Sequence, residues 1–189
     1  MRMMMNPPFA FAASGSLSMI GLGAACSIAA LRTGFPLPSN GPALSNIAAL
    51  KPVFFPAAAS ICLFYTFLFA QSASAFTAHK TAKAEAAARG EKGPSLAEVK
   101  YGGTHVRKWD RTVGNFLEQS LPFYFGMFLH AILVSPNAAA KAGWLWILFR
   151  AYYPIVFGLK FPAIFSSTLP AYGCVLFLWW GVVTSAANL

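Results

Sequence analysis

The sequence predicts an all-α membrane protein, a four-transmembrane-helix bundle with an additional apolar segment at its N-terminus. Two observations carry this. Of 189 residues, 57% are hydrophobic and only 10% charged, with a mean hydropathy of +0.57, whereas a soluble domain carries about 25% charged residues. So few charges cannot cover a globule in water. The charges also cluster, leaving uncharged stretches over 3–31, 52–79, 119–140 and 161–189. A bilayer crossing takes roughly 20 mainly apolar residues, so each stretch is long enough. None shows the alternating pattern of an outer-membrane barrel.

The first element, MRMMMNPPFAFAASGSLSMIGLGAACSIAALR, has one early cation and then an apolar run rich in Gly, Ala and Ser. Small residues suit close helix packing in a bilayer, and the same pattern fits a signal or transit segment. An extra membrane helix, a surface-lying helix and a targeting segment all remain open. TGFPLPSNGP (33–42) then breaks any helix with three prolines and two glycines. Residues 1–50 are thus expected to form an N-terminal extension, and 51–189 the four-helix membrane domain.

PVFFPAAASICLFYTFLFAQSASAF (52–76) is the first predicted span, with Pro56 in its opening turns. A helical continuation rich in Ala, Lys and Glu follows, ended by Gly90, Gly93 and Pro94. The second span is expected from Arg111 to about Val134, the third from about Lys141 to Gly158, and the fourth, after LKFP (159–162), to about Val183. Short connections imply antiparallel neighbours. Trp144, Trp146, Trp179 and Trp180 fall towards span ends and are expected to anchor at the membrane interface.

The linker 77–110 holds seven of the fourteen Lys and Arg residues. Only Tyr101 and Trp109 are aromatic there, so the charge lacks a base-stacking platform and no nucleic acid is expected as partner. The positive-inside rule places the linker on the cytoplasmic, matrix or stromal side, with membrane lipids bearing anionic headgroups as neighbours. The location is expected to be the endoplasmic reticulum or an organellar (mitochondrial or plastid) membrane. Cys26, Cys62 and Cys174 each stand alone in apolar surroundings, as small hydrophobes. His79 and His105 have no ligand-spaced companions, so no metal is expected.

Polar residues inside the spans are the informative ones. Arg111, Asn115 and Glu118 recur at i, i+4 and i+7, a narrow stripe on one helix face about 10 Å long. A carboxylate at the centre of a span costs about 2.5–3.5 kcal/mol, so the stripe must turn towards a partner or water. Arg150, the lone cation within WLWILFRAYYP, is the expected partner for Glu118, while Gln119 and His130 add polarity to the same helix as the stripe. Two readings fit: an interhelical knot that fixes register, or a cavity in which Arg111 and Arg150 bind carboxylates and Glu118 an amine.

R-x-x-x-N-x-x-E at the start of a span, followed by LPF, resembles the MAPEG family (membrane-associated proteins in eicosanoid and glutathione metabolism), as does RAYYP in the next span. Gly143 and Trp144 are similar to the family's connection before the third helix, and the resemblance covers residues 52–185. It implies four transmembrane helices, trimers, and glutathione bound between subunits near the cytoplasmic face. By resemblance, Arg111, Asn115, Glu118, Arg150 and Tyr153 would hold glutathione. The catalytic end departs from the pattern. Phe157 stands where conjugating members have a second tyrosine, and no arginine follows Arg150. Tyr153 and Lys160 are left to assist the thiolate, with Lys160 a flexible point charge in place of a planar fork.

The resemblance implies a glutathione-binding membrane protein, acting as a glutathione transferase or peroxidase on a small lipophilic substrate, as a homotrimer. The alternative is a non-catalytic accessory subunit of a larger respiratory or photosynthetic membrane complex. A channel or transporter is disfavoured by the single short polar stripe and the lack of discontinuous helices.

Overall fold

The computed structural model describes residues 47–188 apart from 103 and 160. The extension expected over 1–50, except its last four residues, and Lys160 therefore lie outside the described residues. One 3-10 turn (Ile47–Leu50) leads into α1 (Lys51–Ala88), and α2 (Leu96–Gly102), α3 (Thr104–Leu133), α4 (Pro136–Ala151), α5 (Tyr153–Phe157) and α6 (Phe165–Ala186) follow. Every element among the described residues is helical.

α1 joins the first apolar span and the Ala/Lys/Glu continuation into one helix of 38 residues. At 1.5 Å per residue it is about 57 Å long, against about 30 Å of bilayer hydrocarbon. Its polar end projects past the apolar bundle. The helix stops where the glycine predicts. Gly90 takes a φ of +71°, which only glycine adopts without steric cost. The Gly90 and Glu91 amides donate to the Ala87 and Ala86 carbonyls at 3.0 and 2.9 Å, a Schellman closure. The chain then folds back along α1. His79 Nε2 meets the Pro94 carbonyl at 3.1 Å, and Gln71 donates to Asp110 Oδ1 at 2.6 Å.

α3 and α4 are the central pair; each packs on α1 and on α6, and α1 and α6 flank the pair with little contact between themselves. The core is aromatic where α3 meets α4: Phe123 stacks on Trp146 with centroids 4.0 Å apart and planes 8° off parallel, and Phe116 meets Trp146 edge-on at 5.0 Å. Polar ties fasten the outer helices. Ser60 and Tyr124 hydroxyls share a 2.7 Å bond between α1 and α3, and Ser167 donates to the Phe149 carbonyl at 2.5 Å. Trp179 donates to the Pro122 carbonyl at 2.9 Å. Such ties in membranes contribute about 0.6 kcal/mol each, so aromatic packing dominates.

Two helices, α1 with its leading turn and α6, are long and apolar enough to cross a membrane by composition alone. Phe54, Phe55, Ile61, Tyr65 and Phe69 of α1 and Leu176, Trp180 and Val183 of α6 face outward, as lipid-facing side chains do.

Two expectations need correction. The third span, expected over 141–158, is two helices, α4 and α5, separated at Tyr152. Pro154 has no N–H to give the Arg150 carbonyl and its ring crowds that turn, so the helix ends and restarts. Because α4 begins at Pro136, Trp146 sits mid-helix and is fully buried, not anchored at an interface. Trp144 also sits mid-helix but is exposed, Trp180 is exposed, and Trp179 is half-buried.

Candidate functional site

The linker-proximal ends of α3 and α4 bring the polar residues together. On α3, measured from Asn115 at about 100° per residue, Arg111 lies about 40° and Glu118 about 60° to one side, while Gln119 lies about 40° to the other. The stripe therefore divides. Arg111 and Glu118 are exposed on the outer flank, Asn115 is half-buried, and Gln119 faces α4 and is buried.

Arg150, on the last turn of α4, is 1% exposed. Its Nη1 donates to Asn115 Oδ1, and its Nη2 donates to Gln119 Oε1 at 2.5 Å. Trp146 Nε1 donates to the same Gln119 oxygen at 3.4 Å. Three donors converging on Asn115 and Gln119 oxygens fix which way both amides point. The guanidinium carbon lies 5.7 Å from the Trp146 ring centroid and 5.8 Å from that of Tyr153, within cation–π range. Tyr153, the first residue of α5, is itself buried.

The expected Glu118–Arg150 pair does not form. Gln119, one residue further along α3, occupies the inner position and takes the guanidinium, while Glu118 points out. The ion pair found among the described residues joins Arg89 to Glu91 at 2.9 Å, on the exposed linker. Even so, Arg111 and Glu118 lie within electrostatic reach of the Tyr153 hydroxyl, and Glu118 within reach of Arg150. Arg111, Asn115, Glu118, Arg150 and Tyr153 thus occupy one corner of the bundle. Lys160 lies outside the described residues.

Two buried donors in this corner have no acceptor: Arg150 Nε and Gln119 Nε2. An unsatisfied buried donor costs about 1–3 kcal/mol. A buried cation held only by neutral amides lacks the countercharge that buried charges otherwise have. The arrangement offers donors and positive charge inside and one exposed carboxylate outside. It contains no hydroxyl nucleophile with an adjacent base and, among the described residues, no group of three or more metal-ligating side chains.

Sequence reasoning did not put Gln119 in the site, although its i+4 spacing from Asn115 carried the signal. It also missed Tyr172 of α6, which lies within electrostatic reach of both Arg150 and Tyr153; no local pattern marks that residue. His130 meets the Leu178 carbonyl at 3.1 Å through Nδ1 and belongs to helix packing.

Compared with known proteins, residues 53–184 match the model of the MAPEG family. No curated protein and no solved structure matches the chain.

Proposed function

The chain belongs to the MAPEG family, and on that premise we propose that it binds glutathione at the α3–α4 corner of a bundle whose four long helices all cross the bilayer. The family is known for glutathione use, and its membership with the apolar α1 and α6 makes the chain a membrane protein. The observation that carries the ligand reading is the buried Arg150, which has amide partners, no carboxylate, and an unused Nε–H. Glutathione brings two carboxylates, one amine and two amides. The residues fit it: Arg150 and Arg111 for the carboxylates, Glu118 for the amine, Asn115 and Tyr153 for the remaining polar atoms.

The outward position of Arg111 and Glu118, beside the exposed Leu117 and Leu121, supports a neighbouring copy as cover, since charged groups are costly against lipid. A homotrimer with the ligand between subunits satisfies this. The polar hairpin 77–110 then lies on the cytoplasmic, matrix or stromal side.

Turnover, on this reading, adds the glutathione sulfur to a lipophilic electrophile. The thiol proton leaves to solvent and the sulfur lone pair forms the new C–S bond, while the electrophile either opens a π bond and takes up a proton or releases a leaving group with its electron pair. A thiol with a pKa of about 8.5 needs nearby positive charge or a donor to ionise at neutral pH. Tyr153, within cation–π distance of Arg150, and Lys160 are the residues for that role. In the peroxidase variant, two glutathiones reduce a lipid hydroperoxide to the alcohol and water, and become the disulfide. A second reading is favoured by Phe157, whose ring lies 5.9 Å from that of Tyr153 and carries no hydroxyl: a non-catalytic accessory subunit of a larger membrane complex that keeps the fold.

Calorimetric titration of the detergent-purified protein with glutathione tests the binding reading. Arg111→Ala is expected to weaken affinity by roughly 10-fold or more, the loss of a hydrogen bond to a charged group. Equal affinity in the two proteins would reject the assignment.

A further inference from the structure

Three contacts level the returning chain against α1. Phe67 faces Trp109 with ring centroids 6.3 Å apart, Gln71 donates to Asp110 at 2.6 Å, and His79 meets the Pro94 carbonyl at 3.1 Å. The apolar run of α1 ends at Phe76. Trp109 and Asp110 therefore stand beside its last turns, at the edge of the hydrocarbon, while Pro94 stands about 12 Å further out. The start of α3 enters the membrane at the depth of the lipid headgroups. Two cation–aromatic pairs flank this entry: Lys108 Nζ lies 5.3 Å from the Trp109 ring centroid and Lys100 Nζ 5.6 Å from that of Tyr101. Tyr101 is 81% exposed, and Arg107, between the pairs in the chain, is exposed as well. Tyr and Trp favour the membrane interface, and a lysine stem laid along a ring keeps its charge towards water.

The acids that could neutralise these cations are engaged elsewhere. Of the four in the linker 77–110, Glu91 pairs with Arg89 at 2.9 Å, Glu98 accepts from the Ser95 amide at 2.6 Å, and Asp110 is held by Gln71. The fourth, Glu85, lies about 14 Å past Phe76 along α1. Among the described residues no ion pair involves Lys100, Arg107 or Lys108. Their countercharge has to come from outside the fold, at a depth where the surrounding anions are lipid phosphates. We propose that this collar at the entry of α3 binds anionic phospholipid: Lys100, Arg107 and Lys108 gather headgroups of net negative charge, and Tyr101 and Trp109 seat among them. The attraction is electrostatic, so it favours phosphatidylglycerol over zwitterionic phosphatidylcholine and weakens with salt. It is independent of the ligand proposed for the α3–α4 corner.

The test measures the melting temperature of the detergent-purified full-length protein at low salt with added phosphatidylglycerol, phosphatidylcholine or inorganic phosphate at equal concentration. Phosphatidylglycerol is expected to raise it several degrees above phosphatidylcholine. The triple variant Lys100→Gln/Arg107→Gln/Lys108→Gln is expected to lose most of that difference, and so is wild type in about 0.5 M sodium chloride, where charges are screened beyond a few ångströms. The salt arm keeps the proposal testable if the variant does not fold. Equal melting temperatures in the two lipids overturn the proposal, as does a difference that survives both the substitutions and the salt. A rise of the same size with inorganic phosphate overturns lipid as the partner.

Discussion

At position 181 a methyl group has no room. A β-carbon there would stand 2.4 Å from His130 Cε1 and 2.5 Å from Nδ1, and the imidazole is fixed by its bond to the Leu178 carbonyl at 3.1 Å. Gly181→Ala is therefore expected to destabilise the α3–α6 contact by about 1–3 kcal/mol, the usual effect of overpacking a filled core, seen as a lower melting temperature in detergent. An unchanged melting temperature would mean the ring moves aside freely. The same residue scale decides the site. Arg111, Asn115, Glu118 and Arg150 are legible in the sequence as a polar set, because polar residues stand out against lipid-facing runs, whereas Tyr153 enters only through the family resemblance. Which of them meets Arg150 is not legible. Glu118 and Gln119 are adjacent, 100° apart on the wheel, and the rotation of α3 about its axis follows from packing Phe116 and Phe123 against Trp146.

Among the elements, the end of α1 is the most predictable, since its stop is chemical, whereas α2 within the linker is not anticipated from the sequence. Gly90 closes α1, and Ser95 opens the region of α2 with a reciprocal cap: the Ser95 amide donates to Glu98 Oε2 at 2.6 Å, and the Glu98 amide to Ser95 Oγ at 3.3 Å. The Ser95 backbone amide, and then its hydroxyl, hold the Glu98 carboxyl below its ordinary value of 4.5. A depressed carboxyl contributes stability above its ordinary value and loses it as pH falls through the depressed one. The first turn of α2 is therefore expected to keep its amide protection above pH 4.5 and to lose it with further acidification, which hydrogen exchange at Ser95 and Glu98 would follow. Protection that does not change on acidification would show the cap to be idle. The break between α4 and α5 was harder to read. Pro154 is visible, yet a proline within an apolar run fits a kinked span as well as two helices, as Pro56, Pro122 and Pro170 within continuous helices show.

For the whole molecule, composition gives the class and length gives the long helices, but the apolar stretches do not say which side faces in. Phe67 is buried on α1 while Phe69 is exposed; both sides are equally apolar because both avoid water, so periodicity carries little signal there. Residues from different helices meet at the α3–α4 corner only after packing, and there the account makes its central claim: a buried arginine held by amides is kept for a ligand and not merely for bracing. A ligand that binds the folded protein alone raises its stability by mass action, by about 2.7 kcal/mol at a hundred times its Kd. The direct measurement is the melting temperature of the purified wild-type protein across rising glutathione concentration. The account predicts a rise that continues with concentration beyond saturation of the site; a melting temperature indifferent to glutathione would contradict it.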